Sequence, residues 1–155
     1  MNRELTPVEE QLIRWMLDHG KAEGRAFLPQ LEKAQVTPFR CPCGCASINL
    51  SIDGLPKPSG GMHVLADFLF GTDEDLSGIF VWEQSGVLAG LEVYGLAGDA
   101  PKTLPSPHSL RPLSDGTTFR ITGKFRHGNM GPRRLTARAL AARIRTAQPA
   151  AKSAC

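Results

Sequence analysis

The sequence predicts an α+β domain in which two N-terminal helices pack on a four-strand antiparallel meander, followed by a basic C-terminal extension. Three observations predict this. Apolar residues recur at helical spacing near the start, alternate with period two from residue 46 to residue 94, and the sign of the charge reverses near residue 112. Helices that precede a run of strands are expected to cover one face of an antiparallel sheet.

The first helix is expected over residues 7–19. Thr6-Pro7-Val8-Glu9 supplies an N-cap hydroxyl, a proline at the first helical position and a carboxylate that can complete a capping box. Val8, Leu12, Trp15 and Met16 form its apolar stripe, which Ile13 and Leu17 widen. His19 suits the negative end of the helix, and Gly20 is placed to stop it. A second helix is expected from Pro29 to Gln35, burying Leu31 and Ala34 together with Phe27 and Leu28 before it, with Pro38 closing the region.

Ile48, Leu50 and Ile52 alternate with polar neighbours and predict the first strand, ended by Asp53-Gly54. A Pro/Gly/Ser loop leads to a second strand, Met62 to Phe70, with Met62, Val64, Ala66, Phe68 and Phe70 on one face. His63 and Asp67 then fall on the opposite, solvated face. Gly78 to Gln84 and Val87 to Tyr94 read as two strands joined by a tight Ser85-Gly86 turn. Trp15 and Trp82 read as core anchors.

The chain has 155 residues, 41% apolar and 21% charged, which suits one folded domain with an appendage and excludes wholesale disorder. No apolar run approaches the ~20 residues needed to cross a bilayer. Charged residues at Glu4, Glu9, Glu10 and Arg14 break up any signal-peptide core, so a cytoplasmic location is expected. The net charge of +3 conceals an asymmetry: residues 1–110 carry −6 and residues 111–155 carry +9. A compact acidic domain over 1–112 followed by a basic extension over 113–155 is therefore expected. Within the extension, Thr117 to Phe125 is expected as a strand and Arg133 to Ala147 as a helix.

Cys41-Pro42-Cys43-Gly44-Cys45 is the most unusual local feature, with three of the four cysteines in five residues. In an extended segment all three side chains point the same way, so their sulfurs could converge on a soft metal such as zinc. Zinc needs four ligands and usually spaces thiolates as C-x₂₋₄-C, which only Cys41 and Cys45 satisfy. His19, His63, His127 and Cys155 are the candidate fourth ligands, and no spacing selects among them. Buried packing of small apolar thiols is the preferred reading, zinc binding the next, and redox chemistry the third, since no C-x-x-C occurs.

The extension could contact nucleic-acid phosphates through Arg133, Arg134 and Arg138, with Arg120, Lys124, Arg126, Arg143 and Arg145 nearby. It has no helix-turn-helix, RNA-binding or zinc-finger pattern, and its Arg/Ala/Gly/Pro/Ser/Thr bias is also what coding composition alone would produce. No catalytic motif stands out: G-x-S-x-G, H-E-x-x-H and P-loop spacings are all missing from the sequence. Asp73, Glu74 and Asp75 form an acidic turn without calcium-loop spacing.

Cys41-Pro42-Cys43-Gly44-Cys45-Ala46-Ser47-Ile48, the Gly86 to Tyr94 strand, Gly98-Asp99-Ala100-Pro101 and Leu104-Pro105 together resemble a group of small bacterial proteins. Those proteins share a cysteine-glycine-cysteine entry to a strand and a leucine-glutamate-aromatic strand before a proline-rich end. The resemblance covers roughly residues 3–112. It implies a compact α+β domain and carries no activity, cofactor or partner with it.

The function expected from these readings is non-enzymatic binding of another protein. Asp73, Glu74 and Asp75, with Asp67, Glu83, Glu92 and Asp99, would steer a basic partner and act on association rate more than affinity. Neutralisation of a basic toxin, as an immunity-like protein, is one form this could take, by analogy alone. The alternatives are a small zinc protein built on Cys41, Cys43 and Cys45, and a nucleic-acid binder acting through the tail.

Overall fold

In the computed structural model, residues 1–56 and 59–113 are described in full, and residues 118–121 and 133–136 by their backbone pairing. The centre of the fold is a seven-stranded, wholly antiparallel sheet. Its strands are β1 (Arg3–Glu4), β2 (Ala34–Val36), β3 (Ile48–Ile52), β4 (Met62–Phe70), β5 (Ser77–Gln84), β6 (Val87–Gly95) and β7 (Arg111–Pro112). The spatial order is β1-β2-β3-β6-β5-β4-β7. Two helices on a four-strand meander is therefore not the architecture that forms. Three of the strands are only two or three residues long, too short to show a period. The first long strand, moreover, joins β6 rather than β4. The loop after Ile52 carries the chain past two strand positions, which a hairpin turn cannot do.

Helix α1 (Pro7–His19) has the expected bounds and the complete capping box: Thr6 Oγ1 accepts from the Glu9 N–H, and the Thr6 N–H donates to Glu9 Oε2. Its buried side is Glu9, Leu12, Ile13, Met16 and Leu17, while Val8, assigned to the stripe from sequence, is exposed. Gly20 does not stop the helix through a left-handed conformation, since its φ is −84°. It permits close approach instead: a Cβ there would lie 2.5 Å from the Ala66 Cβ and 2.8 Å from the Leu65 carbonyl oxygen.

The expected helix over 29–35 is replaced by a 3₁₀ segment (Ala22–Phe27), a single turn α2 (Leu28–Leu31) and then β2. Ala34 and Val36 are buried on either side of exposed Gln35, so the local period is two, and β2 pairs with β3 through Ala34↔Ile52 and Val36↔Leu50. Pairing with the edge of β3 satisfies backbone groups that a helix would have had to satisfy internally.

The helical layer covers one sheet face. Leu12, Ile13, Met16, Leu17 and Leu31 pack there on Leu50, Ile52, Ile79, Val81, Leu88, Leu91 and Val93. Strand β4 does not keep one apolar face. A bulge between Val64 and Ala66 inserts Leu65 and reverses the alternation. Met62 and Val64 thus lie with Phe80, Trp82 and Ala89 on the far face, whereas Leu65, Ala66 and Phe68 join the helical side. The β5–β6 hairpin turns at Ser85 (φ 51°) and Gly86 (φ 79°), the paired positive angles of a type I′ turn.

Strands β8 (Thr118–Ile121) and β9 (Arg133–Thr136) form a separate antiparallel pair. Residues 118–121 fall within the strand expected from sequence. Arg133–Thr136 is a strand rather than the start of a helix, as its pairing with β8 requires. The remainder of that expected helix, 137–147, lies outside the described residues. Among the described residues no helix is long and apolar enough to cross a membrane.

Candidate metal centre

The cysteine segment links β2 to β3 and is a turn, not the extended segment that the sequence suggests. The Gly44 N–H donates to the Cys41 carbonyl at 2.9 Å. Pro42 supplies the fixed φ that the second turn position favours, and Gly44 follows at φ 74°, a conformation that side-chain-bearing residues avoid. The Ala46 N–H then donates to the Pro101 carbonyl at 2.9 Å and ties the turn to the segment after β6.

This turn brings the three sulfurs together. The Cys41, Cys43 and Cys45 Sγ atoms lie within 4.8 Å of one another, and the cluster could hold a metal ion. Cys41 is buried, Cys45 half-buried and Cys43 exposed. Cys43 and Cys45 are thiols, whereas Cys41 is disulfide-bonded. Cys41 and Cys43 Sγ are 2.8 Å apart. Desolvation of the sulfur, reinforced by the Cys45 thiol, holds the Cys43 thiol above its ordinary value.

Cys45 also reaches into the sheet. Its thiol donates to Ser47 Oγ at 3.2 Å, and the Val93 N–H donates to the same oxygen at 2.9 Å. The Ser47 hydroxyl is 3.4 Å from the Val93 carbonyl. Glu92, beside Val93 on β6, is half-buried; desolvation raises its carboxyl above the ordinary value, and a hydrogen bond with Ser47 opposes the rise. From sequence, Ser47 is one of the polar residues at the strand entry and has no site role. The only signal was its position two residues beyond Cys45, and its second partner lies 46 residues away.

Two of the candidate fourth ligands are engaged elsewhere. The His19 ring stacks on Trp15 at a centroid distance of 4.2 Å, and its Nδ1–H donates to the Trp15 carbonyl at 2.8 Å. His63 sits between Glu83 at 3.1 Å and Glu23 at 3.7 Å, so it is paired rather than simply solvated. Among the described residues no histidine or carboxylate joins the three cysteines. His127 and Cys155 lie outside the described residues.

Asp73, Glu74 and Asp75 are exposed in the β4–β5 connection. The Asp75 carboxylate holds this connection together, accepting from the Thr72 N–H at 2.5 Å and the Thr72 hydroxyl at 2.7 Å. These bonds lower its carboxyl below the ordinary range. Glu74, Asp75 and Asp99 line an open groove of about 420 Å³ with Phe70, Ser77 and Thr103. Asp67, expected to be solvated, is half-buried and accepts a hydrogen bond from the Tyr94 hydroxyl at 3.2 Å. Arg133 and Arg134 lie on β9, opposite Ile121 and Arg120 of β8. Arg138 lies outside the described residues.

Compared with family models, curated proteins and solved structures, the chain matches none.

Proposed function

We propose that this is a small zinc-binding domain in which Cys41, Cys43 and Cys45 supply three thiolate ligands from one turn. The observation that supports it is the convergence of the three sulfurs within 4.8 Å. Zinc–sulfur bonds of about 2.3 Å in tetrahedral geometry separate neighbouring sulfurs by roughly 3.8 Å, so small side-chain adjustments suffice. Thiolates favour soft and borderline metals over calcium or magnesium. Only thiolates bind, so the metal-bound form is the one in which the Cys41 disulfide has been reduced. The fourth position falls to a solvent molecule or to a residue outside the described ones. Because the turn joins β2 to β3 and is tied to Pro101, bound metal would add directly to the stability of the sheet.

Native mass spectrometry of untagged protein purified under reducing conditions tests this. One zinc mass per chain, lost in Cys43→Ser, is the expected result. An apo mass with the thiols reduced, unchanged after dialysis against zinc, would overturn it.

A second reading is supported by the acidic groove at Glu74, Asp75 and Asp99. There the domain binds a basic protein partner, and reversing the charge at positions 73–75 slows association at low salt. Unchanged association kinetics would dispose of it.

A further inference from the structure

The Ser47 hydroxyl stands at a junction that backbone pairing alone does not require. Strand β3 pairs with β6 only through Ile48↔Leu91 and Asn49↔Gly90. The next outward-facing N–H on that edge, Val93, donates instead to Ser47 Oγ at 2.9 Å. A half-buried Cys45 thiol donates to the same oxygen at 3.2 Å. One side-chain oxygen therefore joins a sulfur of the cysteine turn to the sheet. The Ser47 hydroxyl has a long contact, 3.4 Å, to the Val93 carbonyl and also hydrogen-bonds the Glu92 carboxylate.

We propose that Ser47 is the positioning residue of the thiol site, fixing Cys45 Sγ against β6 and donating its hydroxyl hydrogen to that sulfur once a metal is bound. The inference rests on the zinc reading above. In the metal-free turn Cys45 carries the hydrogen and Ser47 accepts. A metal-bound thiolate has no hydrogen and can only accept, so the Ser47 O–H turns from the Val93 carbonyl and the Glu92 carboxylate toward sulfur while its oxygen keeps the Val93 N–H. Such second contacts orient a ligand and moderate its electron donation to the metal. Cys41 and Cys43 approach each other within the turn, whereas the Ser47 contact gives Cys45 a direction set by the sheet.

The test uses the full chain, reduced, with cobalt(II) as the probe, read by its sulfur-to-metal charge-transfer absorption and by competition with a chelator of known affinity. Ser47→Ala is expected to weaken cobalt and zinc binding about 10–100-fold and to shift the charge-transfer band. Ser47→Thr, which keeps the hydroxyl, is expected to restore both. A role confined to completing the β6 edge would lower the stability of the metal-free protein but leave the band position and the affinity of the folded fraction unchanged, and that result overturns the proposal. No charge-transfer band in the wild type overturns the zinc reading itself. If Ser47→Ala does not fold, the cobalt-loaded wild type decides by resonance Raman spectroscopy. A cobalt–sulfur stretch that shifts in deuterium oxide supports the hydroxyl-to-sulfur hydrogen bond, and a stretch that does not shift overturns it.

Discussion

The side-chain amide of Gln30 closes a two-bond clamp on the start of β6: its Nε2–H donates to the Gly86 carbonyl at 2.8 Å, and its Oε1 accepts from the Leu88 N–H at 2.8 Å. Gln30 belongs to the single helical turn α2, so the amide fastens the helical layer to the β5–β6 hairpin. It does so next to the register shift in the β5–β6 ladder, where Glu83 faces Leu88 and Trp82 faces Gly90.

Gln30→Ala should leave the largely buried Leu88 N–H without its partner and cost about 1–3 kcal/mol. Urea unfolding followed by tryptophan fluorescence measures this directly. Native-state hydrogen exchange should show the Leu88 amide losing more protection than the rest of β6. An unchanged midpoint would mean that water replaces the clamp.

Gly78 lies beneath the Tyr94 ring. A Cβ at position 78 would sit 2.0 Å from Tyr94 Cζ and 2.2 Å from its hydroxyl oxygen, so Gly78→Ala must displace the ring and break the 3.2 Å bond to Asp67. A loss of about 1–3 kcal/mol is expected from overpacking. The same substitution in a Tyr94→Ala background should be nearly neutral, because Ala removes the ring that the new methyl strikes. Tyr94 is the single tyrosine, so its absorbance reports the displacement without labelling.

Glu9 predicts an acid-side loss of stability. Arg3 binds its carboxylate at 2.7 and 2.8 Å, and the Thr6 N–H adds a third contact at 2.8 Å. The Arg3 bonds are the main reason the carboxyl lies below its ordinary value near 4.5, with burial opposing them. A depressed folded-state value means the contribution is present above about pH 4.5 and lost as pH falls through the folded value. Glu9→Gln should flatten that acid limb and cost about 1–2 kcal/mol at neutral pH, since it weakens both the cap and the ion pair.

Glu92 predicts the opposite slope. Burial raises its carboxyl above the ordinary value near 4.5, so its contribution is complete below that pH and is lost as pH rises through the folded value. Glu92→Gln removes the charge and keeps an amide for Ser47. Chemical denaturation at two pH values is the check: the variant should gain stability relative to wild type on going from pH 4.5 to neutral. A parallel shift at both pH values would contradict the assignment.

Much of the local structure was legible in the residues. The Thr6-Pro7-Val8-Glu9 cap defined the start of α1, the alternation of Ile48, Leu50 and Ile52 defined β3, and Ser85-Gly86 defined the hairpin turn. Each depends on contacts between residues a few positions apart, where spacing and intrinsic φ/ψ preference decide the outcome. The closeness of the three cysteines was legible for the same reason, although a turn achieves it rather than an extended strand.

Tertiary structure decided the rest. Ala34–Val36 became a strand because the edge of β3 was open to it, and β3 met β6 because a long loop let the chain cross. The bulge at Leu65 sent Met62 and Val64 to one face and Ala66 and Phe68 to the other. Ser47 acquired its link from Cys45 to Val93 only when residues 46 positions apart were brought together. Strand neighbours, bulges and such cross-strand hydrogen bonds are set by burial and backbone pairing summed over the whole sheet, quantities that no short window of sequence contains.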